Sequence, residues 1–398
     1  MTASAAVALP GHGEPALRLA RWATRAQFST LGLMAGAWGA HIPSVKARYG
    51  LDEATLSMVL LAAALGAVTS LLFAGRVVAR LGARNAALVA GLVLCTMFGL
   101  MLVWPSFAVL LAPAFVFGCA MSLFDVSINT EGPELEHLTG RAIMSNLHGM
   151  FAVGAMAGAA AVSAMLAVGW DPAAQLGGLA VLLAGVVAIG TRGMLESHGS
   201  SGGDGEKATF AWPRGLLLLI GLLILAGMLA EGVMYDWCVL YLEQEVGMTQ
   251  SVAALGYAAF AGAMAVSRFA GDALRERFSE RSLLFTGASL AAVSMAVVLL
   301  MRSPAVSFVG YVLMGAGLAP VAPILFNAAT RVPGVSRAAA IASVTSIGYS
   351  GFMIGPPLIG AIAHALTLTA AMGVVVVAAS LLSIFSHRVP MADRASRP

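Results

Sequence analysis

Side chains that exchange protons are scarce in the apolar stretches of this sequence, so each one stands out. Three carboxylic acids, Asp125, Glu231 and Asp236, and two histidines, His41 and His148, lie in stretches that are otherwise nearly free of charge. Carboxyl and imidazole groups in apolar surroundings can bind and release protons under physiological conditions. These residue types therefore predict proton exchange within the apolar part of the protein.

Asp125 and Asn129 lie four residues apart, which places them on one face of a helix. If the chain turns near Leu138, His148 lies at a similar depth in the next apolar stretch, beside Asn129 and close to Asp125. The three side chains predict a site in which Asp125 and His148 carry a proton and Asn129 contacts a ligand. A packing network between two helices is the alternative.

Glu231 and Asp236 lie in one apolar stretch but cannot face the same point. A step of five residues at about 100° per residue separates them by roughly 140° around a helix. Glu231 lies nearer the middle of the stretch, and we expect it to carry a proton in a central site. Asp236 is next to Trp237 nearer the end, where it is expected to contact ligand, to form part of a gate or to lie at the surface.

Four further residues are candidates for ligand binding. His41 follows Trp38 by three residues, and an aromatic ring there can stack on a ligand or simply pack. Asn327 and Tyr349 lie close to groups of Gly and Pro, which bend or interrupt helices and often border binding sites in membrane proteins. Close helix packing explains the glycines equally well.

No residue pattern points to catalysis or to a cofactor. The sequence has no HExxH, no GxSxG, no Cys and His set at ligand spacing and no phosphate-binding GxxxxGK[ST] loop. Cys95, Cys119 and Cys238 lie inside apolar stretches and are expected to pack. We therefore predict a protein that is not an enzyme, has no catalytic residues, binds no metal, cofactor or nucleic acid, and acts on a small molecule.

The elements that position these residues are membrane-spanning helices. Apolar residues make up 59% and charged residues 10% of the 398 residues, whereas soluble domains have roughly 45–50% and about 25%. Stretches of about 20 apolar residues span a hydrocarbon core of roughly 30 Å, and their continuity excludes the alternating pattern of a membrane barrel. Twelve such stretches are predicted: Ala26 to Pro43, Ala54 to Ala74, Asn85 to Trp104, Phe107 to Asn129, Ala142 to Val168, Ala173 to Gly190, Gly215 to Tyr241, Ser251 to Ser267, Ser282 to Met301, Ala305 to Ala329, Ala338 to Ala363 and Thr369 to Ser386. The predicted fold is all-α.

The positions of the positive charges predict the orientation in the membrane. With the N-terminus inside, only Lys46, Arg48 and Arg302 of the 22 Lys and Arg residues fall on the outer side. Cytoplasmic loops carry an excess of Lys and Arg. Both termini are therefore expected in the cytoplasm.

The two halves of the sequence resemble each other. A loop rich in Gly and Arg follows the second stretch (GRVVARLGAR), and another follows the eighth (SRFAGDALRERFSER). Six plus six helices with matching loops indicate an internal duplication. We predict a half at residues 1–195, a flexible cytoplasmic linker rich in Gly and Ser at 196–214, and a second half at 215–398, arranged as two pseudo-symmetric bundles.

These loops resemble the signature of the major facilitator superfamily, Gly-x-x-x-Asp-Arg-x-Gly-Arg-Arg, between helices 2 and 3. The resemblance covers nearly the whole chain and implies that the loops latch the outward-facing state. The first copy is degenerate because Ala79 stands at the acidic position. The implied gating residues are Gly75, Arg80, Gly82 and Arg84 in the first loop and Gly271, Asp272, Arg275 and Arg277 in the second.

More narrowly, the stretches WGAHIP, DVSINTEG, EGVMYDW and GYSGFMIGPPLIG look like the bacterial branch related to fucose permeases. The resemblance implies a monomeric secondary transporter of the bacterial inner membrane, with protons, a small solute and the lipid bilayer as its partners. We expect proton-coupled uptake of a small polar, sugar-like solute by alternating access, in which Asp125 takes the place of the helix-4 carboxylate of that branch.

Two other functions are considered. Efflux is the first, although the Gly-Pro pattern that drug antiporters carry in helix 5 is replaced here by GAMAGAAAV, which has Gly154 and Gly158 but no Pro. A membrane sensor or scaffold that transports nothing is the second. Such a protein has no need for titratable groups in both halves.

Overall fold

The computed structural model describes residues 13–140, 143–196, 213–389 and 391, and these residues form helices joined by short loops, without a strand. The predicted linker lies almost entirely outside the described residues, so the proposed boundaries of the two halves stay a prediction. The helices are α1 (Glu14–Tyr49), α2 (Glu53–Leu81), α3 (Ala83–Leu100), α4 (Phe107–Thr139), α5 (Met144–Ala167), α6 (Pro172–Gly190), α7 (Gly215–Gln244), α8 (Gln250–Phe269), α9 (Gly271–Arg277), α10 (Glu280–Met301), α11 (Pro304–Leu318), α12 (Val321–Ala329), α13 (Arg337–Ala365) and α14 (Leu368–Phe385).

Within the described ranges, eleven helical segments are long and apolar enough to cross a membrane, with α11 and α12 counted together as Pro304–Ala329. The remaining long helix, α1, is more polar because it carries residues such as Arg25, Gln27 and His41. Its 36 residues extend over about 54 Å, and it is packed among α4, α5, α7 and α8. With α1, twelve segments cross, and the prediction of an all-α fold with twelve spans is confirmed.

Side chains at the helix ends explain where several helices begin. The residue before the first turn accepts a hydrogen bond from a backbone N–H that has no partner within the helix. Asp52 caps α2, Asp171 caps α6, Thr249 caps α8, Ser279 caps α10, Ser336 caps α13 and Thr367 caps α14. Polar capping side chains therefore fix where these six helices begin.

The two halves are built alike. In the first half α1 packs on α5 and α2 on α4; in the second half the corresponding pairs are α7 with α13 and α8 with α11. The halves meet where α5 packs on α8 and where α2 packs on α13. In each contact the fifth span of one half packs on the second span of the other. These two contacts border a central space between the halves.

Glycine allows the helices of each pair to approach closely. A side chain at Gly36 of α1 would overlap the backbone carbonyl of Ala155 in α5, and one at Gly158 of α5 would overlap the carbonyl of Leu33 in α1. Small residues at such contacts drive helix association in membranes, where the hydrophobic effect contributes little. The glycines of the GAMAGAAAV stretch therefore hold α5 against α1.

Candidate functional site

A cavity of about 1030 Å³ lies between the two halves. Its wall combines residues of α1, α4 and α5 with residues of α7 to α13, including Asp125, His148, Glu231, Arg268 and Tyr349. We call the end of the bundle with the α2–α3, α4–α5 and α8–α10 connections the basic end, because most arginines lie there, and the other end the opposite end. The cavity reaches the basic end, where Ser145, Leu274 and Arg275 line it.

Asp125 and Asn129 form the polar part of the first half's wall. The amide Nδ2 of Asn129 donates to Oδ1 of Asp125 at 2.9 Å and also to its backbone carbonyl at 2.9 Å. Among the described residues no cation pairs with Asp125. Asp125 is therefore a carboxyl group on a cavity wall with an amide as its hydrogen-bond partner.

His148 lines the same cavity but does not complete the predicted cluster. Its ring lies edge-on to Phe28, with centroids 5.6 Å apart, and no hydrogen bond joins it to Asp125 or Asn129 in the described structure. The reason is that α5 packs mainly on α1 and α8, whereas α4 packs mainly on α2 and α3. His148 therefore lies on the same cavity as Asp125 and Asn129, as the predicted turn near Leu138 implies, but on a separate part of the wall.

The second half's wall holds an ion pair that the sequence did not predict. Nη2 of Arg268 lies 3.1 Å from Oε1 of Glu231, and the Tyr235 hydroxyl donates to the same oxygen at 2.8 Å. The side chains of Arg268 and Glu231 are 18% and 16% exposed. The sequence predicts that Arg268 lies in the loop after the eighth stretch, whereas in the structure it belongs to the last turn of α8 and lines the cavity.

Groups of the two halves face each other across the cavity. The rings of Tyr349 and Phe352 are tilted by 57° with their centroids 6.1 Å apart, and Tyr349 interacts electrostatically with Asp125. His148 interacts in the same way with Arg268 and Glu231. Tyr349, Glu231 and His148, each of which is a predicted site residue, thus line one cavity. The cavity wall contains ionisable groups from both halves.

Glu231 and Asp236 face different directions, as their helical separation predicts. Glu231 lines the cavity and Asp236 does not. Asp236 is half-buried, and within the described ranges its carboxyl group has no hydrogen bond or ion pair. Its contact with ligand or with a gate stays a prediction.

Trp38 and His41, two residues predicted to bind ligand, lie outside the cavity wall. Trp38 is buried and its ring packs against Phe117, with centroids 5.4 Å apart. His41 is fully buried and bonded to Ser44. In this structure α1 turns this side towards Phe117 of α4 and Gln175 of α6, and contact of the two residues with a ligand stays a prediction.

Asn327 also lies off the wall, although Phe326 beside it lines the cavity. Its Nδ2 donates to Oε1 of Glu280 at 2.9 Å, and Oε2 of Glu280 pairs with Arg331 at 3.0 Å. Asn327 therefore does not line the cavity in this structure, and its contact with a ligand stays a prediction. Asn327 connects the end of α12 to the start of α10.

The opposite end is closed by contacts between the halves. Nε2 of Gln250 donates to the backbone carbonyl of Ala40 at 2.8 Å, and His364 pairs with Asp52 at 3.3 Å. Hydrogen bonds from the side chain and backbone of Thr55 lower the pKa of Asp52. The cavity is therefore accessible from the basic end and sealed from the other.

The loop residues of the first half take different roles. Gly82 joins α2 to α3 with φ of 80°, a left-handed conformation that favours glycine. Arg84 pairs with Glu196 at 3.1 Å and lies close to buried Glu131. Gly75 has open space around it and Arg80 is exposed. Arg84 thus has acidic neighbours although Ala79 stands at the acidic position of the loop.

The corresponding residues of the second half lie beside the cavity. Gly271 and Arg275 line it, and Arg277 is exposed at the end of α9. The side chain of Asp272 lies outside what the structure describes. Among the residues that it does describe, no group of three or more His, Cys, Asp and Glu side chains could hold a metal ion.

Two six-helix bundles around a central polar cavity, sealed at one end, define a membrane transporter. The sequence profile of the Major Facilitator Superfamily matches residues 26–335 and 222–397. The chain is 35% identical to an uncharacterized MFS-type transporter of Yersinia pestis over 352 residues, 88% of this chain and 91% of the relative. The chain belongs to the major facilitator superfamily, and it is not an enzyme.

Solved structures share the fold at low sequence identity. The inward-open xylose transporter XylE from E. coli superposes with a TM-score of 0.74 at 12% identity, covering 95% of this chain and 97% of that one. The E. coli fucose:proton symporter FucP superposes with a TM-score of 0.62 at 15% identity, covering 94% and 98%. The predicted resemblance to the fucose permeases is confirmed at the level of the fold.

Proposed function

We propose that this protein is a secondary active transporter that couples the uptake of a small polar solute to protons by alternating access. The observation that carries the proposal is Asp125, a carboxyl group on the wall of the cavity between the halves that has an amide but, among the residues the structure describes, no cation beside it. A solute entering the cavity meets this group, and a proton can reach it from the basic end.

Protonation of Asp125 changes the balance between the two states of the transporter. An ionised carboxylate without a counter-ion is costly in a closed, low-dielectric site, and a proton removes that cost. A ligand shifts a two-state equilibrium by as much as its affinities for the two states differ. Proton binding to Asp125 therefore favours the occluded states through which solute and proton cross together.

Glu231 has a different role from Asp125 in this proposal. Its charge is already compensated by Arg268, and Tyr235 donates to it. To bind a proton, Glu231 has to release Arg268. We infer that Asp125 carries the proton in the cytoplasm-open state, and that Glu231 exchanges its proton only in states in which the ion pair is separated. His148 faces this pair and contributes to its electrostatic environment.

The cavity suits a small solute with several hydroxyl groups. Its volume of about 1030 Å³ is at the upper end of the roughly 300–1,000 Å³ of small-molecule sites. Amide, hydroxyl and imidazole groups of Asn129, Thr130 and His148 supply hydrogen bonds, and the rings of Phe28 and Tyr349 supply flat apolar surfaces. The sugar symporters that share the fold support a sugar-like solute.

The orientation follows from the charges. Most arginines of the described chain lie at the basic end, and an excess of Lys and Arg marks the cytoplasmic side. The basic end is therefore proposed to be cytoplasmic, with both termini inside and the protein acting as a monomer in a bacterial inner membrane. In this orientation the structure corresponds to an inward-facing state.

The test is transport in proteoliposomes. Thermal-shift screening of purified protein with D-xylose, L-fucose and nucleosides identifies a solute, since a ligand stabilises the state that it binds. Asp125→Asn is then expected to keep solute counterflow but lose accumulation driven by a pH gradient. The matched control is Glu276→Gln, at an exposed carboxylate of α9. Gradient-driven accumulation by Asp125→Asn at the wild-type rate overturns the proton assignment.

A further inference from the structure

At the opposite end, one glutamine of the second half bonds twice to the first half. Gln250 begins α8 in the second half, and its Nε2 donates to the carbonyl of Ala40 at 2.8 Å and to Oγ of Ser44 at 2.7 Å in α1. Because a backbone carbonyl only accepts, the amide nitrogen must face α1, and both of its hydrogens are used. Ser44 Oγ is therefore an acceptor from Gln250, and its own hydrogen is free to donate elsewhere.

The Ser44 hydroxyl also lies within hydrogen-bond distance of a buried histidine. Its Oγ lies 3.2 Å from Nδ1 of His41, a residue with no exposed surface. We assign the free hydroxyl hydrogen of Ser44 to Nδ1 of His41, which then accepts. A ring that accepts at Nδ1 is neutral and carries its hydrogen on Nε2.

The other ring nitrogen faces a matching acceptor. The side chain of Gln175 in α6 lies against the imidazole of His41, and its Nε2 donates to the carbonyl of Trp170 at 2.9 Å. Oε1 of Gln175 and Nε2 of His41 are both buried and have no hydrogen-bond partner among the described residues, and they are a matching acceptor and donor. The hydrogen bonds thus run from Gln250 through Ser44 to His41, and Gln175 lies beside the ring.

A second proton on His41 reverses the bond to Ser44 and places a charge in a buried position. Nδ1 would become a donor aimed at Ser44, whose hydrogen would lose its acceptor. The groups that face the imidazole are the hydroxyl of Ser44 from α1 and the amide of Gln175 from α6, and no charged side chain of the described helices interacts with it. A buried imidazolium without a carboxylate beside it is strongly disfavoured.

We propose that Gln250, Ser44, His41 and Gln175 form a latch that closes the opposite end only when His41 is neutral, so that proton uptake by His41 opens this end. When the halves separate here, His41 meets water and can take up a proton. Acid on this side then retains the open state, and closure requires the proton to leave His41. The inference extends the proposed function, but it needs neither an identified solute nor a role for Asp125.

A second histidine at the same end supplies the control. His364 pairs with Asp52 between the halves, but their side chains are 60% and 47% exposed. Exposed ion pairs contribute little because water screens them. Lys46 and Glu53 pair with each other within the first half, and Arg302 and Glu245 within the second. These charges do not face His41, so they are not expected to cause the pH dependence of opening at this end.

The experiment measures the distance between the halves at the opposite end. Spin labels are attached at Ala47→Cys and Ala365→Cys, two exposed positions in different halves, after Cys95→Ala, Cys119→Ala and Cys238→Ala. Double electron–electron resonance of the full chain in nanodiscs, between about pH 7.5 and about pH 5, reports the closed and open populations. The open-to-closed ratio is expected to rise with acid, by at most about tenfold per pH unit for one linked proton.

Three variants separate the latch from other pH effects. In His41→Asn the amide oxygen accepts in place of Nδ1 and cannot be protonated, so this end is expected to stay closed without a pH response. Gln250→Leu is expected to be open throughout the range. His364→Asn is expected to respond like the parent protein.

The proposal is overturned if the parent distance does not depend on pH, if His41→Asn keeps the parent response, or if His364→Asn loses it. Each variant is compared by gel filtration and melting temperature at neutral pH. His41→Gln is a second replacement that cannot titrate, and it replaces His41→Asn if that protein does not fold. Retention of the pH response in His41→Gln contradicts the proposal in the same way.

Discussion

Arg268 and Glu231 form an ion pair in the wall of the central cavity, with Nη2 of the arginine 3.1 Å from Oε1 of the glutamate. The two residues belong to α7 and α8, the first two spans of the second half. Arg268 ends an apolar stretch, but its side chain lines the cavity and does not lie at the membrane surface. Arg268 compensates the charge of Glu231, whereas Asp125, also on the cavity wall, has no cation beside it within the described part of the chain.

The ion pair predicts a difference between single and double variants. Arg268→Gln is expected to lower the free energy of unfolding by about 1–3 kcal/mol, because it leaves a largely buried carboxylate without its hydrogen-bond partner. Glu231→Gln combined with Arg268→Gln is expected to recover most of that loss. Melting temperature in detergent measures both. Arg275→Gln, a cavity arginine without an ion pair among the described residues, serves as control, and equal losses in all three proteins would contradict the pairing.

Burial predicts that two glutamates at the basic end contribute very differently to stability. Glu280 is 5% exposed and bonds to both Asn327 and Arg331, whereas Glu196, which pairs with Arg84, is 81% exposed. Glu280→Gln is expected to cost about 1–3 kcal/mol, and Glu196→Gln less than about 0.5 kcal/mol. Chemical denaturation of the two variants compares them directly. A larger loss for Glu196→Gln would show that the network around Glu280 is not structural.

Close packing of α1 on α5 predicts a strong effect of adding a side chain at Gly36. Gly36→Val forces its Cβ into the carbonyl of Ala155, and overpacking of this kind costs about 1–3 kcal/mol or more. Gly373→Val, at a position in α14 with open space around it, is the matched control. The yield of monodisperse protein and its melting temperature are the measurements. Similar yields for the two variants would contradict the close approach.

Much of the fold follows from the sequence because the membrane imposes a simple rule. Every span needs about 20 apolar residues with all backbone groups bonded internally, and this rule is enough to locate the twelve segments. Only α1 departs from it, since it is more polar than the others. The polar side chains of α1, including Gln27 and His41, are buried against other helices rather than exposed to lipid.

The site is predictable only where its contacts are local. The pairing of Asp125 with Asn129 follows from a spacing of four residues, and the divergence of Glu231 from Asp236 follows from helix geometry. The Arg268 contact joins residues 37 apart and the Gln250–Ser44 contact residues 206 apart, so both depend on which helices become neighbours. The same limit explains Asn327, whose partner Glu280 belongs to another span.

The most direct test of the central claim is uptake driven by a pH gradient in proteoliposomes containing the wild-type protein or Asp125→Asn. The solute is the sugar or nucleoside that gives the largest thermal shift. The wild type is expected to accumulate it when the outside is acidic, and Asp125→Asn to equilibrate it without accumulation while counterflow continues. Accumulation by Asp125→Asn equal to that of the wild type would contradict the assignment of Asp125 as the proton carrier.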